Sequence, residues 1–500
     1  MRDSSLSLKK ERDKSLTTSK GFSAIVGNPP FMGGKKITGA LGTDYRDFIV
    51  KWIANNERGN ADICAYFFLR AKNLLDINGG FGLIATNTIA QGDTREVALD
   101  RLVADKCVIP RAVPSRKWEG SANLEVAHVW LRQGDWQGKF YLDDKAVNGI
   151  TPFLTVPGKA VGKPEKLVAN QGKSFIGSYV LGMGFVLQPE EAQALIEKDA
   201  KNKDVLFPYL NGEDLNTNFD QSPSRWVINF KDWALEEAEN YPECIQILRE
   251  RVFPERQKNN DKNVRKNWWR FKRIAVDLQK AIANLKQVLV VAIVSRTVAF
   301  TFVSANQVFA HKLAVFVFEN NSYFSILQSS FHYHWAWNYS STMKTDLNYS
   351  PTDVFETFPF PESTTNLETI GQKYHNHRQN IMLARQEGLT KTYNRFHNPE
   401  ETATDIQQLR DLHVEMDNAV ATAYGWTDLE LEHGFHDTKQ GLRYTISETA
   451  RREVLDRLLQ LNHQRYKEEV AQGLHDKKKG KGKKKAEVKS DDGNGQLSLF

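Results

Sequence analysis

The chain has 500 residues, 40% of them hydrophobic and 26% charged, with a formal net charge of +6. This length allows two to four domains, and the composition excludes a chain that is disordered throughout. Three distant cysteines without a Cys-x-x-Cys pair argue against a disulfide framework and a zinc site and are typical of a reducing compartment. The sequence shows neither a membrane-spanning apolar run nor a signal peptide, so we predict a cytoplasmic protein without a membrane partner.

Residues 21–148 alternate short apolar strands with amphipathic helices, after a polar arm at residues 1–20. Turn residues bound the strands, and the second helix ends at a glycine. Buried strands that alternate with helices predict a doubly wound α/β sheet. The predicted strands are 22–27, 79–87 and 124–132, and the predicted helices are 44–58 and 61–77.

The pattern changes after this sheet. Residues 149–365 contain short β-like runs among proline, asparagine and glycine, with many aromatic residues, and predict a mixed, mostly β domain. Residues 366–470 are predicted to be helical, because apolar residues recur at steps of three and four. Thr445 and Glu448 could form a capping box for the last helix. Residues 471–500 are rich in lysine and cannot bury a core, which predicts a disordered tail.

The segment Asn28-Pro29-Pro30-Phe31 directly follows the first predicted strand. One interpretation is a turn with a core phenylalanine, since Asn-Pro and Pro-Pro pairs favour turns. The other is a ligand pocket, because open α/β sheets bind ligands at the carboxyl ends of their strands.

The chemistry of these four residues suits the methylation of an exocyclic amino group on a nucleobase. Such an amine is a poor nucleophile, because its lone pair is delocalised into the ring. The side-chain oxygen of Asn28 and the carbonyl of Pro29 could accept hydrogen bonds from its two N–H groups and favour a pyramidal nitrogen. Pro30 would fix the turn, and Phe31 would stack on a base taken out of the duplex.

The Gly-Asn-Pro-Pro-Phe segment resembles motif IV of the S-adenosylmethionine-dependent amino-methyltransferases, mainly the N6-adenine-specific DNA methyltransferases. Further blocks resemble restriction–modification enzymes of types IIG and IIL, so the resemblance covers roughly residues 21–465. It implies half of a Rossmann-like methyltransferase sheet in residues 21–148, a target-recognition domain in residues 149–365, and S-adenosylmethionine as methyl donor. The further blocks are ADICAYFFLRA, GGFGLIATNTIAQGDTRE, FPYLNGEDLN, YSPTDVFETFPFPE, and the stretch from GLTKTYNRFHNP to DLHVEMDNAVATAYGW.

The cofactor motif of this family, an acidic residue followed by a Gly-x-Gly loop, is missing before Asn28, and so is the nuclease module of larger relatives. We therefore assign no cofactor-binding residue, and we interpret the Gly-x-Gly at 182–184 as a turn. The resemblance implies that the strand before Asn28 pairs with the cofactor-binding strand, so its edge would be open here. We predict a split or truncated enzyme that needs an N-terminal partner chain and binds S-adenosylmethionine poorly alone.

Basic residues lie among aromatic ones in the region 149–365, a combination that suits phosphate contact and base stacking. The alternative is a buried tryptophan pair with solvated charges. His332 and His334 alternate with aromatic residues on a predicted strand, where we expect a structural role or DNA contact rather than a metal site. The predicted DNA-binding residues are Trp268, Trp269, Arg270, Lys272, Arg273, Arg296 and Lys344.

The tail carries two candidate partner sites. Its run KKKGKGKKK could attract DNA regardless of sequence or could simply be solvated. The last five residues, Gln496 to Phe500, resemble the pentapeptide by which bacterial DNA enzymes bind the sliding clamp. Alternatively, these leucines pack back onto the helical region.

Together these features predict a site-specific DNA adenine N6-methyltransferase of a restriction–modification system that acts on double-stranded DNA. The alternative is a non-catalytic DNA-recognition remnant or a specificity subunit. A methyltransferase for RNA or for protein amides is a third interpretation, against which stands the long region after residue 150.

Overall fold

The computed structural model of the protein describes residues 21–57, 60–118, 124–158, 162–343, 346–438 and 440–476. We call residues 21–158 the N-terminal region, 162–365 the middle region and 366–476 the helical region. Within the described ranges, no helix combines the length and the apolar composition needed to cross a lipid bilayer. The predicted arm 1–20, Lys344, and the tail from 477 onward with Gln496–Phe500 lie outside the described residues.

The N-terminal region forms one mixed sheet flanked by helices. Its strands are β1 (Phe22–Gly27), β2 (Leu75–Thr86), β3 (Cys107–Lys117), β4 (Glu125–Gln133), β5 (Phe140–Leu142) and β6 (Lys145–Val147). Its helices are α1 (Gly34–Leu41), α2 (Thr43–Phe48), α3 (Ile63–Leu74), α4 (Gly92–Arg95) and α5 (Arg101–Ala104). The strand order is β1-β2-β4-β3-β5-β6, and β1 runs parallel to β2 through the crossover helix α3.

Strand β1 lies at the edge of this sheet. Its burial is lower than predicted, because Phe22 is 60% exposed and Val26 is 87% exposed. Ile25 packs on the sheet core, so the strand is held from one side. The expected open edge is therefore present in the described residues, whereas the expectation of a buried strand is wrong.

Two further boundaries differ from the prediction. The helix predicted over 61–77 is α3, which ends at Leu74, and the chain continues directly into β2. Strand β3 was not predicted, because Pro110 and Pro114 interrupt its sequence pattern. The pairing of β3 with β4 shifts register across each of these prolines, so the irregularities accommodate residues that cannot donate to the ladder.

The middle region contains three sheets with helices packed between them. Its strands are β7 (Ser174–Ile176), β8 (Val186–Leu187), β9 (Leu206–Leu210), β10 (Trp226–Ile228), β11 (Gln287–Ala292), β12 (Val294–Ser295), β13 (Thr301–Ser304), β14 (Val308–Phe309), β15 (Leu313–Phe316), β16 (Ser341–Met343) and β17 (Asp346–Asn348). Its helices are α6 (Pro189–Lys198), α7 (Gly212–Thr217), α8 (Leu235–Ala238), α9 (Pro242–Arg251), α10 (Phe253–Gln257), α11 (Lys262–Lys266), α12 (Val276–Ile282), α13 (Asn321–Gln328) and α14 (Ser330–Tyr339). The strand orders are β14-β9-β10-β8, β13-β11-β15-β7 and β12-β17-β16.

Helix α14 corrects the prediction of a strand at His332 and His334. The segment is rich in aromatic residues, which favour strands in isolation, but it is surrounded by core on several sides. Trp335 is fully buried, and its indole N–H donates to the carbonyl of Val354 at 3.2 Å. A helix that is apolar around most of its circumference is typical of a central core element.

The helical region confirms the predicted character of the chain after residue 366. It contains α15 (Glu368–Arg385), α16 (Leu389–Phe396), α17 (Thr404–Ala423), the hairpin strands β18 (Gly434–Thr438) and β19 (Gly441–Thr445), and α18 (Glu448–Ala471). The cap of α18 is Ser447, whose side chain accepts from the backbone N–H of Ala450, so the expected box of Thr445 and Glu448 is wrong.

The three cysteines lie in different parts of the core. Cys64 and Cys107 are buried in the N-terminal region, and Cys244 is buried in the middle region. All three are free thiols, and burial raises the pKa of each one. The N-terminal and middle regions thus have separate hydrophobic cores, while the third core joins the rest of the middle region to the helical region.

Candidate active site and DNA interface

The loop Asn28 to Phe31 follows β1 at its carboxyl end, where Gly27 pairs with Leu83 of β2. Asn28 is exposed, Pro29 is buried and Phe31 is half-buried against the sheet core. The loop therefore presents a polar amide side chain to solvent on a rigid two-proline backbone. This is the edge at which open α/β sheets bind ligands.

Asp62 holds the chain that leaves this loop. One carboxylate oxygen, Oδ1, accepts from the backbone N–H of Met32 at 3.2 Å and from that of Cys64 at 3.1 Å. The carbonyl of Met32 in turn accepts from the backbone N–H of Ile63 at 2.9 Å. Asp62 is 7% exposed and caps α3, so one side chain joins the loop to the start of that helix.

Sequence reasoning missed Asp62, although a signal was present. Aspartate immediately before an apolar helical run is a typical N-cap. Its second contact, with Met32, depends on tertiary structure and has no local sequence pattern. Burial and the nearby Asp62 carboxylate raise the pKa of the Cys64 thiol well above its usual value, so this cysteine stays protonated and is not a nucleophile.

A polar cleft of about 810 Å³ opens at the carboxyl end of β2, and Gly33, two residues after the loop, is part of its lining. Its lining includes residues from the N-terminal region, the middle region and the end of the helical region. Among them are Gly33, Asn60, Asp62, Thr86, Asn87, Gln91, Thr94, Arg95, Lys163, Lys166, Tyr339, Thr342, Tyr466 and His475. The cleft has room for a flat, hydrogen-bonding ligand group such as a nucleobase.

A buried guanidinium lies in the wall of this cleft. The Arg95 side chain is 7% exposed and stacks on the ring of Phe153, with 3.9 Å between the guanidinium carbon and the ring centroid. Its Nε donates to Asp100 Oδ2 at 3.1 Å, and its Nη2 lies 3.8 Å from Glu96 Oε1. The charge is therefore neutralised within the fold, and the arrangement fixes the α4 turn beside the cleft.

Gln91 and Asn87 join the N-terminal region to the middle region across this cleft. The backbone N–H of Thr342 donates to Gln91 Oε1 at 2.8 Å, and the Thr342 hydroxyl accepts from Asn87 Nδ2 at 3.3 Å. Thr342 belongs to β16 of the small sheet β12-β17-β16. The two parts are thus in direct hydrogen-bonding contact at the candidate site.

The described residues do not by themselves form a cradle for the methyl donor that the resemblance implies. The sheet ends at β1, whose outer edge is exposed, and it is beyond this strand that the family's cofactor-binding strand would pair. Gly182 precedes the short helical turn Met183–Phe185 in the middle region, and Gly184 lies within it, in agreement with the predicted turn.

The predicted stacking residues Trp268 and Trp269 lie in the core of the middle region. Each is 7% exposed, and their rings meet edge to face at 6.0 Å. The Trp269 indole N–H donates to the carbonyl of Trp233 at 3.0 Å. Burial corrects the expectation that these rings stack on DNA bases and supports the alternative of a buried pair.

The basic residues next to this pair have local partners. Arg270 donates to the carbonyl of Trp233 at 2.8 Å and Arg273 to that of Gly177 at 3.0 Å. Lys272 lies 3.9 Å from Asp261 and is exposed. These three side chains line an open surface cleft together with Asn263 and Asn267. Phosphate contact there stays a prediction.

Arg296 lies beside the candidate site rather than with the other predicted residues. Its side chain is 59% exposed, and its Nε donates to Asp346 Oδ1 of β17 at 2.8 Å. It lines a smaller cavity that shares Gln91 and Thr342 with the main cleft. Lys344 lies outside the described residues.

His332 and His334 are structural residues of the core. His332 donates from Nδ1 to the carbonyl of Leu327 at 3.1 Å and accepts at Nε2 from the Tyr349 hydroxyl at 3.2 Å. His334 pairs with the Thr445 hydroxyl at 3.0 Å. Burial lowers the pKa of both imidazoles to about 3, so both are neutral near pH 7.

Two protein families each match one part of the chain. Residues 3–109 match the family described as Eco57I restriction-modification methylase, and residues 160–362 match the family described as MmeI, target recognition domain. These matches confirm the resemblance to restriction–modification DNA methyltransferases. The boundaries of the predicted domains stay predictions.

The chain spans less than two thirds of the length of a curated relative and of a solved structure that it matches. The chain is 25% identical over 362 residues to DNA methyltransferase A of Bacillus subtilis (strain 168), covering 68% of this chain but 39% of that protein. Its fold is similar to that of the type IIL restriction-modification enzyme MmeI, solved in complex with DNA. The TM-score is 0.68 at 17% identity, covering 89% of this chain and 57% of MmeI. The predicted fold class is thereby confirmed.

Proposed function

We propose that this chain, a restriction–modification methylase segment joined to an MmeI-type target recognition domain, supplies the target-base loop and the DNA-recognition surface of a site-specific DNA adenine N6-methyltransferase. The observation that carries the proposal is the Asn28 to Phe31 loop. It stands at the carboxyl end of β1 near a polar cleft, with Asn28 exposed and with Met32, the residue after the loop, anchored by Asp62. S-adenosylmethionine would supply the methyl group.

In this proposal, the side-chain oxygen of Asn28 and the carbonyl of Pro29 accept hydrogen bonds from the two N–H groups of the target amine. The acceptors are fixed before the substrate arrives, because two prolines and the Asp62 contact hold the backbone. Phe31 packs on the sheet core with one part of its ring and leaves the other part for a base. A base taken out of the duplex would then lie between the loop and the cleft.

A partner chain would complete the sheet at β1. Besides Phe22 and Val26, the exposed large apolar residues include Phe67 of α3 and Ile77 of β2. The crossover helix α3 and the strand β2, which pairs with β1, therefore also present exposed apolar side chains. A parallel strand that pairs with β1 would cover this side, and in the family that strand carries the cofactor loop.

The proposed nucleic-acid partner is double-stranded DNA. Arg296 is exposed beside the cleft, and the mild positive charge of the chain favours a polyanion. Contact of Arg270, Lys272 and Arg273 with phosphates is part of the same proposal. Attraction of DNA by the lysine-rich tail and binding of a sliding clamp through Gln496–Phe500 remain proposals from sequence.

Methyl transfer from labelled S-adenosylmethionine to mixed-sequence DNA tests the proposal. We expect activity when a chain that carries a cofactor loop is added, and a loss of about 10²–10³-fold in Asn28→Ala. Asn306→Ala, at an exposed turn of the middle region, is the matched control and should keep full activity. The product should be N6-methyladenine by mass spectrometry.

The other outcomes separate the rival functions. DNA binding without transfer in any mixture would favour a recognition remnant that lacks catalysis. Transfer to cytosine, or to RNA or protein in preference to DNA, would overturn the adenine assignment.

A further inference from the structure

Thr342 and Gln91 form a two-point connection between the small sheet of the middle region and the N-terminal region. Gln91 Oε1 accepts from the Thr342 backbone N–H at 2.8 Å, while Gln91 Nε2 lies 3.2 Å from the Thr342 hydroxyl oxygen. Asn87 donates to the same hydroxyl at 3.3 Å. The residues are 251 positions apart in sequence, and the contacts are partly buried. A glutamine amide held by both the backbone and the side chain of one residue has little freedom to rotate.

On the side of the middle region, this connection leads to Arg296. Thr342 pairs with Leu347 of β17, and β17 also carries Asp346. Asp346 accepts from Arg296 at 2.8 Å on the exposed side of this sheet. A ligand that engages Arg296 therefore acts on a strand next to the one that holds Gln91.

On the other side, the connection leads to the target-base loop. Gln91 is the N-cap of α4, and its carbonyl accepts from the backbone N–H of Arg95 at 3.1 Å. Thr94 in this turn accepts, through Oγ1, from the backbone N–H of Asp62 at 3.1 Å. Asp62 in turn accepts from the backbone N–H of Met32, the residue after Phe31.

We propose that Gln91 is a positioning residue that couples DNA recognition at the β12-β17-β16 sheet to the arrangement of the Asn28–Phe31 loop. The inference rests on the proposed function and deepens it. When the β12-β17-β16 sheet binds its matching DNA sequence, Thr342 would fix the position of the α4 turn and, through it, that of Asp62. Asp62 would in turn fix the loop that carries the acceptors for the amine. A poorly matched sequence would bind through its phosphates but leave the loop misplaced.

The coupling is carried by hydrogen bonds, so single-atom changes address it. Thr342→Val removes the hydroxyl contacts but keeps the backbone N–H and a β-branched shape, which suits a strand. Thr342→Ser keeps both contacts and is the conservative partner variant. Gln91→Ala removes the amide altogether. Gln193→Ala, on the exposed face of α6, is the matched control.

The experiment uses the full chain with its completing partner and a duplex selected from a random pool by binding to the wild-type chain. A second duplex differs from the first at one base pair. We would measure Kd and kcat on both duplexes. Base extrusion would be followed separately, by the fluorescence of 2-aminopurine at the target position, which needs DNA binding but no methyl transfer.

We expect Gln91→Ala and Thr342→Val to keep Kd within about twofold on the selected duplex and to lower kcat about 3- to 30-fold. The fluorescence rise should fall in parallel, and the kcat ratio between the two duplexes should shrink. Thr342→Ser should behave as the wild type. Unchanged kcat and fluorescence would overturn the inference, and so would a parallel loss of DNA affinity, which would indicate a plain binding or stability role.

Failure of the proposed function looks different in this design. It would appear as absence of transfer in the wild type, whereas failure of the coupling would appear as a wild-type-like Gln91→Ala. If the wild type binds DNA without transfer, the fluorescence arm still decides the coupling. A wild type that binds no duplex at all would overturn both.

Discussion

The sheet of the N-terminal region and the sheet β13-β11-β15-β7 of the middle region differ in how completely they are covered. Every residue of β15 is buried, and so are the last five residues of β11. At the open end of the N-terminal sheet, Val26 and Ile77 are 87% and 72% exposed. The strands of both sheets are rich in apolar residues, so the difference in exposure comes from what packs around these strands. An apolar strand is stabilised only when something packs on it, and in β1 that cover is missing from the described residues.

The two parts also differ in their titratable groups. Eleven of the 12 histidines follow residue 300, and His128 is the one in residues 1–300. Several of these later histidines are buried and have lowered pKa values, His332 and His334 among them. The middle and helical regions therefore depend on several neutral imidazoles, whereas the N-terminal region has one histidine, His128, whose pKa burial also lowers.

The largest effect on stability is expected in the fully covered part of the molecule, at Asp417 of helix α17. Its carboxylate is fully buried and accepts from the Ser330 backbone N–H at 2.8 Å and from His433 at 2.7 Å. Burial alone would raise the pKa of Asp417, but the neighbouring His413 and these bonds lower it to about 2. Asp417→Asn should lower the free energy of unfolding by about 3–5 kcal/mol, because the change breaks a buried pair.

Urea unfolding at pH 7.5, followed by tryptophan fluorescence, measures this effect. Asp428→Asn is the matched control, since Asp428 is 67% exposed in its pair with Arg457. The control should change stability by about 0.5 kcal/mol or less. Equal effects of the two variants would contradict the assigned role of Asp417.

A second, intermediate effect is loss of stability in mild acid. The folded pKa of His332 and His334 is about 3, below the value of about 6.5 in an unfolded chain. Well above pH 6.5 both imidazoles are neutral in the folded and in the unfolded chain, so the free energy of unfolding does not depend on them there. As the pH falls below 6.5, only the unfolded state binds protons, and stability decreases until the folded pKa is reached.

Between pH 7.5 and 5.5 this amounts to about 1.4 kcal/mol for each such histidine. Hydrogen exchange, corrected for its intrinsic pH dependence, should show α14 and its neighbours losing protection at pH 5.5. Peptides from the N-terminal region should change less. A uniform loss along the chain would contradict the assignment to buried histidines.

The smallest effect on stability is expected at the open edge. Val26→Lys places a charge on an exposed edge strand and should change the free energy of unfolding by less than about 0.5 kcal/mol. It should nevertheless reduce self-association of the chain, because charged residues block strand pairing. Light scattering after size-exclusion chromatography measures this, with Val470→Lys, an exposed valine on α18, as control. Self-association that persists in Val26→Lys would locate it elsewhere.

Local patterns predicted the elements whose surroundings resemble their sequence. The strands β1, β2 and β4 and the helices α3 and α17 follow from apolar periodicity and flanking turn residues. Strand β3 and helix α14 were missed or misassigned, because prolines and aromatic residues carry preferences that tertiary packing overrode. The Asn28 to Phe31 loop was found because its residues have a specific chemistry.

The supporting residues of the site could not be found in the same way. Gln91 and Thr342 are ordinary polar residues in sequence, and their connection exists only where two parts with separate hydrophobic cores meet. The tryptophan pair illustrates the reverse case. Trp268 and Trp269 look functional beside three basic residues, yet their large apolar area favours burial more strongly than exposure.

The positions of the three cysteines give the protein a set of internal reporters. Alkylating reagents react with thiolates, and burial keeps Cys64, Cys107 and Cys244 protonated and enclosed in the folded chain. Two of them report on the N-terminal region and the third on the middle region. Mass spectrometry of alkylated peptides at increasing urea would therefore show which part opens first, without introducing a label. Protection of Cys64 and Cys107 by an added chain would then register completion of the sheet.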